Sequence, residues 1–206
     1  MKNIIKNTFI LTAITVVAGC LLGLVYEVTK EPIAAAEQNA KEEAYYTVLP
    51  AETYTLYDKY DQQDADEFLA EAGYENNEID EVAVAENTYG KSVGYVITVT
   101  SHEGYGGDIV LSIGISTDGT VTGMELLTIS ETAGLGMRAD EPEFKEQFRD
   151  RHVEKFVYSK TGEKDSNKID ALSGATVTTN AVTNAVNAAL LYFRNELYME
   201  GGSVNE

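Results

Sequence analysis

The stretch VGYVITVTSHEGYGGDIVLSIGISTDGTVTGMELLT, Val93 to Thr128, decides the fold. Three runs in it alternate with period two, Val93 to Thr100, Ile109 to Ile115 and Val121 to Thr128, and a fourth lies upstream at Val82 to Glu86. That period sends successive side chains to opposite faces of a pleated strand. Asp118-Gly119 has the chemistry of a tight hairpin turn, so the strands are expected to pair antiparallel. Helical patterns flank them. Upstream, Ile33 to Tyr45 reads as a polar helix rich in Ala, Glu and Gln, ended by Leu49-Pro50, followed by a strand at Thr53 to Tyr60 and a short helix at Asp64 to Ala72 closed by Gly73. Downstream, Glu141 to Phe148 reads as a short helix with Pro142 near its first turn, and Val153 to Tyr158 as an edge strand before a polar loop at Asp165 to Lys168. In Val177 to Met199, Val182, Ala185, Val186, Ala189, Leu190, Phe193 and Leu197 form one apolar stripe at helical spacing, and Gly201-Gly202 stops it. Strands in the middle and helices at the ends indicate an α+β fold: an antiparallel sheet with flanking helices.

One N-terminal transmembrane helix precedes that fold. Asn7 to Tyr26 is an uncharged run of 20 residues, and at about 1.5 Å per residue it matches a hydrocarbon core of roughly 30 Å. Lys2 and Lys6 precede it and Glu27 follows, so the positive-inside rule puts the N-terminus in the cytoplasm and everything after Lys30 outside. Two other readings compete. A cleaved signal peptide would end near Ala34-Ala35-Ala36, but its apolar region would be about 7–15 residues long. Val17-Ala18-Gly19-Cys20 resembles a bacterial lipobox, yet Leu21 to Val25 continue the apolar run where a lipoprotein turns polar.

Charge and cysteine usage exclude several functions. A net charge of −19 opposes binding to nucleic acid and to anionic lipid. Cys20 is the single cysteine, so the chain builds no intrachain disulfide and no Cys-ligated zinc or iron–sulfur site. His102 and His152 are too isolated for a metal centre, and the acidic run Asp58 to Glu81 lacks the order of a calcium loop. No nucleophile–base pair and no Walker loop is present.

Asp170-Ala171-Leu172-Ser173-Gly174-Ala175-Thr176 leads straight into the last helix. A helix start carries partnerless N–H groups and the positive end of the macrodipole, which together hold an anion, and Gly174 lets backbone come close. The same residues also fit an ordinary cap, with Ser173 or Thr176 supplying the hydroxyl.

Asp-x-x-Ser-Gly-Ala-Thr resembles the flavinylation motif of the FMN-binding domain found in the G subunit of the Rnf complex and in the C subunit of the sodium-pumping NADH:quinone oxidoreductase. Gly104-Tyr105-Gly106-Gly107-Asp108-Ile109, Asp118-Gly119 and Glu131-Thr132-Ala133-Gly134-Leu135-Gly136 resemble that family's elements in the same order, and together the match spans Gly94 to about Tyr198. The resemblance implies FMN joined to Thr176 through a phosphoester, with Ser173, Gly174 and Ala175 at the phosphate and Glu131, Thr132, Gly134, Leu135 and Gly136 beside the flavin. Tyr105 and its neighbouring glycines are a weaker transfer. Both Gly-rich loops also fit plain turn formation. The family loop usually has Pro where this chain has Ala133, which puts the loop's geometry in doubt. Asp170 is assigned to recognition by the flavin transferase, and a salt bridge or cap near the helix start stays open.

The resemblance further implies an electron-transfer component of an Rnf-type ion-translocating ferredoxin:NAD oxidoreductase, with no catalytic centre of its own. Its partners are the other membrane and peripheral subunits and a maturing flavin transferase, and its flavin domain lies outside the cytoplasm. The expected organisation is residues 1–30 as cytoplasmic N-terminus and membrane helix, 31–80 as extracytoplasmic linker and acidic segment, 81–200 as FMN-binding domain and 201–206 as tail. The competing assignments are the C subunit of the quinone reductase, whose chains are generally longer, and an anchored binding protein without redox function.

Overall fold

A computed structural model of the chain describes residues 2–162 and 165–198. Helix α1 runs from Lys2 to Val48. The two helices expected at Asn7–Tyr26 and Ile33–Tyr45 are therefore one, with Pro32 inside it; an interior proline costs about 3 kcal/mol, and a helix that bears this cost is kinked without being ended. The helix is long and apolar enough to cross a membrane, with a mean hydropathy of 2.4 over an 18-residue stretch, and Phe9, Leu22 and Val25 lie on its surface. The chain divides into two compact units, one up to Ala40 and one from Lys41 onward.

In the second unit, β1 (Thr53–Leu56), β2 (Asn77–Glu86), β3 (Ser92–Ser101), β4 (Ile109–Ser116) and β5 (Val121–Thr128) form one antiparallel sheet in the order β1-β2-β3-β4-β5. The strand expected at Thr53–Tyr60 stops at Leu56. The one expected at Val82 begins five residues earlier, because a register shift between Ile79 and Glu81 breaks the period-two pattern at its start. Helix α2 (Gln62–Glu71) is capped by Asp61 and buries Ala65 and Leu69. The acidic run is thus divided between α2, which holds Asp64, Asp66, Glu67 and Glu71, the turns around it and the start of β2, and the expected boundary after residue 80 falls inside β2.

After β5 come a 3₁₀ turn (Gly136–Asp140), the short helix α3 (Pro142–Lys145) and a second 3₁₀ turn (Glu146–Phe148). The expected edge strand at Val153–Tyr158 does not join the main sheet. Arg151 makes one bridge to Val121 there, and β6 (Val157–Ser159) pairs in parallel with β7 (Lys168–Asp170), so Lys168 leaves the expected loop and opens a strand. Helix α4 (Thr176–Tyr192) continues as a π turn over Phe193–Leu197. Met199 and the Gly201-Gly202 stop lie outside the described residues.

Alternation along the strands sorts the core into two faces. Ile97, Val99, Leu111 and Ile113 pack with Val182, Val186 and Leu190 of α4, and each such fully buried side chain contributes about 1.5–3 kcal/mol. Ala83, Ala85 and Val96 face the other way, under Tyr45, Val48 and Leu49 at the end of α1. Gly114 is needed there, since a Cβ would lie 2.5 Å from the Val48 carbonyl oxygen. Tyr45 donates to Glu81, which also receives Lys41, and meets the buried Thr98 hydroxyl at 3.2 Å. Burial, then the Glu81 carboxylate, hold the Tyr45 phenol far above its usual range.

Candidate functional site

The chain reaches α4 through a tight bend. Gly174 has φ +79, Ala175 is the cap residue at φ −130 and ψ 54, and Thr176 is the first helical residue. No side chain among the described residues caps this helix. Neither Ser173 nor Thr176 takes the capping role the sequence left open. Thr179 ties the bend from below: its hydroxyl donates to Ala175 O at 2.9 Å and accepts from Leu172 N at 3.1 Å. The first-turn amides of α4 therefore meet no capping oxygen, at the positive end of a 17-residue helix. Thr176 is half-buried, and its hydroxyl has no hydrogen-bond partner among the described residues. Thr178 and Thr179 are buried and engaged.

Three segments converge on this helix start. Glu131 is 9% exposed. Its Oε1 accepts from Tyr105 N at 2.7 Å and Gly106 N at 3.2 Å, and its Oε2 accepts from Thr178 Oγ1 at 3.1 Å. Glu103, which opens the Gly-rich loop, accepts from Asn184 at 2.7 Å and Asn180 at 3.4 Å. Asn180 lies one turn beyond Thr176 on the same face. In the following loop, Thr132 O accepts from Leu135 N at 3.1 Å and Met137 N at 3.2 Å, and Gly134 takes φ +76 to close the turn. This turns Leu135 towards the motif: a Cβ on Gly174 would lie 3.1 Å from Leu135 Cδ2.

The structure thus brings the loop that holds Glu131, Thr132, Gly134, Leu135 and Gly136 to the helix start, with Leu135 against Gly174 and with Glu131 and Gly136 against Thr178, but it buries the Glu131 carboxylate. Leu135, Val177 and Tyr105 on the converging segments are exposed at 42%, 49% and 75%. Val177 escaped the sequence reading; the available signal was an apolar residue lying off the buried stripe directly after the motif threonine. Asp170 sits at the end of β7 with its backbone N–H on Gln147 Oε1 at 2.5 Å, away from the cap position. Beside it a cleft of about 880 Å³ is walled by Asp170, Leu172 and Ser173 on one side and Arg138, Phe144 and Arg151 on the other.

The flanks are held by charge. Lys145 bridges Glu125 and Asp140, the latter at 3.1 Å; burial pulls its pKa down, and the hydrogen bonds to the two carboxylates outweigh that and leave it raised. His102 Nδ1 lies 2.9 Å from Asp108, which raises its pKa against a smaller opposing effect of burial.

Uncapped helix amides, apolar side chains left exposed around one half-buried threonine hydroxyl, and a neighbouring cleft fit a phosphorylated planar cofactor such as FMN. The class these features define is a flavin-binding α+β domain following a membrane-type helix. Two family models match the chain in agreement with it: FMN-binding domain over residues 104–191, and RnfG N-terminal region over residues 1–48. The chain is 32% identical over 197 residues to the G subunit of the Na(+)-translocating ferredoxin:NAD(+) oxidoreductase complex of Acetobacterium woodii, covering 94% of this chain and 93% of that one. It is 32% identical over 196 residues to the G subunit of the ion-translocating oxidoreductase complex of Methanosarcina acetivorans, covering 93% and 95%. Among solved structures, Shewanella oneidensis NqrC shares the fold, with a TM-score of 0.50 and 21% identity over 60% of this chain and 61% of that one. The chain belongs to the family of G subunits of Rnf-type ion-translocating oxidoreductase complexes, and its apolar helix and its family make it membrane-associated.

Proposed function

We propose that this chain is an electron-transfer subunit with FMN held as a phosphoester on Thr176, within an Rnf-type complex that couples ferredoxin:NAD oxidoreduction to ion translocation. The observation that carries the reading is the uncapped start of α4 with the Thr176 hydroxyl uncommitted at its first position. The Thr176 oxygen displaces AMP from FAD in a reaction run by a flavin transferase, so one phosphoester forms as the phosphoanhydride breaks and the hydroxyl proton leaves. Asp170, exposed at the head of the motif, is the residue offered to that transferase. Ser173, Gly174 and Ala175 line the phosphate with backbone. Leu135 and Val177 cover the ring from adjoining segments, and Thr132, Gly134 and Gly136 shape the loop that presents Leu135. When bound, the flavin supplies one- and two-electron redox chemistry. The chain needs no catalytic centre of its own, and its partners are the other subunits of the complex.

The flavin-bearing domain is residues 81–200, built on the preceding segment 31–80, with residues 1–30 as N-terminus and membrane helix. Lys2 and Lys6 before the apolar run and Glu27 after it support a cytoplasmic N-terminus and an extracytoplasmic flavin domain.

Thr176→Val trades a hydroxyl for a methyl at nearly constant volume, so flavin fluorescence in a denaturing gel is expected to vanish from a folded chain. Peptide mass mapping should place FMN on the Thr176 peptide; modification at Thr178 or Thr179 with Thr176 bare overturns the assignment. A reporter fused to the C-terminus that works only in the cytoplasm should stay silent.

A further inference from the structure

Glu131 is buried while Leu135 and Val177 are exposed, and among the described residues every hydrogen bond it makes is one that a carboxylate accepts. Two successive backbone amides, of Tyr105 and Gly106, converge on one of its oxygens, as they would on a bound anion. The glycines around it serve that closure. A Cβ on Gly104 would lie 2.1 Å from Gly107 O, one on Gly106 would lie 2.1 Å from Ser130 O, and one on Gly136 would lie 2.6 Å from Glu131 Oε2. The Tyr105 and Gly106 amides of the Gly-rich loop are therefore spent on Glu131, while the first-turn amides of α4 meet no capping side chain among the described residues. Glu103, held by Asn180 and Asn184, ties the same loop to the same helix from its other side.

Resting on the flavin reading above, we propose that Glu131 is a positioning residue: its buried carboxylate draws the Gly-rich loop, the Glu131–Gly136 loop and Thr178 together, and this fixes Leu135 beside Thr176 and leaves the helix amides to the FMN phosphate. It acts through the three segments and does not touch the ring. Because it also sets a buried negative charge behind the site, it opposes electron addition to the flavin and holds the midpoint potential down.

The test uses the full-length chain in detergent, made with and without a flavin transferase. Without it, amide hydrogen exchange reads the scaffold alone: Tyr105 and Gly106 should be protected in the wild type and in Glu131→Gln, whose amide oxygen still accepts both N–H groups. In Glu131→Ala they should exchange about tenfold faster or more. With the transferase, Glu131→Gln should be flavinylated to the wild-type extent with a raised midpoint potential, whereas Glu131→Ala should be flavinylated about tenfold more slowly. Wild-type flavinylation and potential in both variants would overturn the proposal. So would loss of flavinylation in both with Tyr105 and Gly106 still protected, since Glu131 would then act by direct contact. If Glu131→Ala does not fold, Thr178→Val removes one of the three bonds, and a wild-type exchange pattern and flavinylation rate there would also overturn it. A wild type that carries no FMN on Thr176 sinks the functional reading instead, while the exchange experiment still decides the scaffold role of Glu131.

Discussion

Gly136→Ala and Gly134→Ala place the same methyl two residues apart and probe different physics. At Gly136 the new Cβ would lie 2.5 Å from Thr178 Oγ1, 2.6 Å from Glu131 Oε2 and 2.7 Å from Glu131 Cβ. None of these atoms is the free end of a flexible chain, because the Thr178 hydroxyl and the Glu131 carboxylate are bonded to each other and buried. Overpacking of this kind costs about 1–3 kcal/mol, and weakening a hydrogen bond to a charged group adds roughly 1.5 kcal/mol. The smaller backbone entropy of alanine offsets about 0.5–1 kcal/mol, since Gly136 does not have a positive φ. The net loss is about 1.5–4 kcal/mol. At Gly134 nothing lies within 4 Å of the added methyl, but φ is +76, so the cost is backbone strain alone, about 1–2 kcal/mol. For a folded unit of this size each kcal/mol moves Tm by roughly 2–4 °C. Thermal unfolding of the detergent-solubilised chain, followed by circular dichroism, should show Tm lowered by roughly 3–16 °C for Gly136→Ala and by less for Gly134→Ala. Flavinylation should fall with Gly136→Ala, because displacing Glu131 loosens all three segments. A Gly136→Ala chain no less stable than Gly134→Ala would show that the loop does not close on Glu131 and Thr178.

The His102 ring, held by Asp108 and facing Glu78 at 3.6 Å, has its pKa raised by folding. Its contribution is fully present below the unfolded value of about 6.5 and is lost as pH rises through the folded value. With the side chain 45% exposed, the effect is a few tenths of a kcal/mol; the Tm difference between wild type and His102→Gln should shrink from pH 5.5 to pH 9, and a constant difference would refute the pairing. Lys145→Met leaves Glu125 and Asp140 facing each other without their cation. It should cost about 1–3 kcal/mol in urea unfolding, less than a fully buried pair, with partial rescue by Glu125→Gln; an unchanged midpoint would argue that the three charges are not coupled.

Local pattern was enough where one force acted on consecutive residues. The strands β3, β4 and β5 follow directly from alternation, and α4 from its stripe at helical spacing, because β-branched and apolar residues recur there with the period of the element. The failures have equally local causes. The shift between Ile79 and Glu81 moves the start of β2 out of phase. The runs Asn7 to Tyr26 and Ile33 to Tyr45 differ in polarity and read as two helices, but the backbone continues through Pro32 as one. Strands β6 and β7 are three residues each and owe their existence to pairing across eight intervening residues, which no period in either can reveal.

At the site, the sequence by itself determined the local order around Thr176: the glycine bend, the small residues and the helix that follows are contiguous, and their chemistry is set by order along the chain. Tertiary structure alone decided which donors the Glu131 carboxylate meets. From its motif it reads as a flavin contact, but loops 25 and 26 residues away in sequence bring two amides to one oxygen, and a helix 47 residues away brings a hydroxyl to the other. A carboxylate's direction depends on which donors surround it in space, and those donors are assembled only when the sheet and α4 pack together.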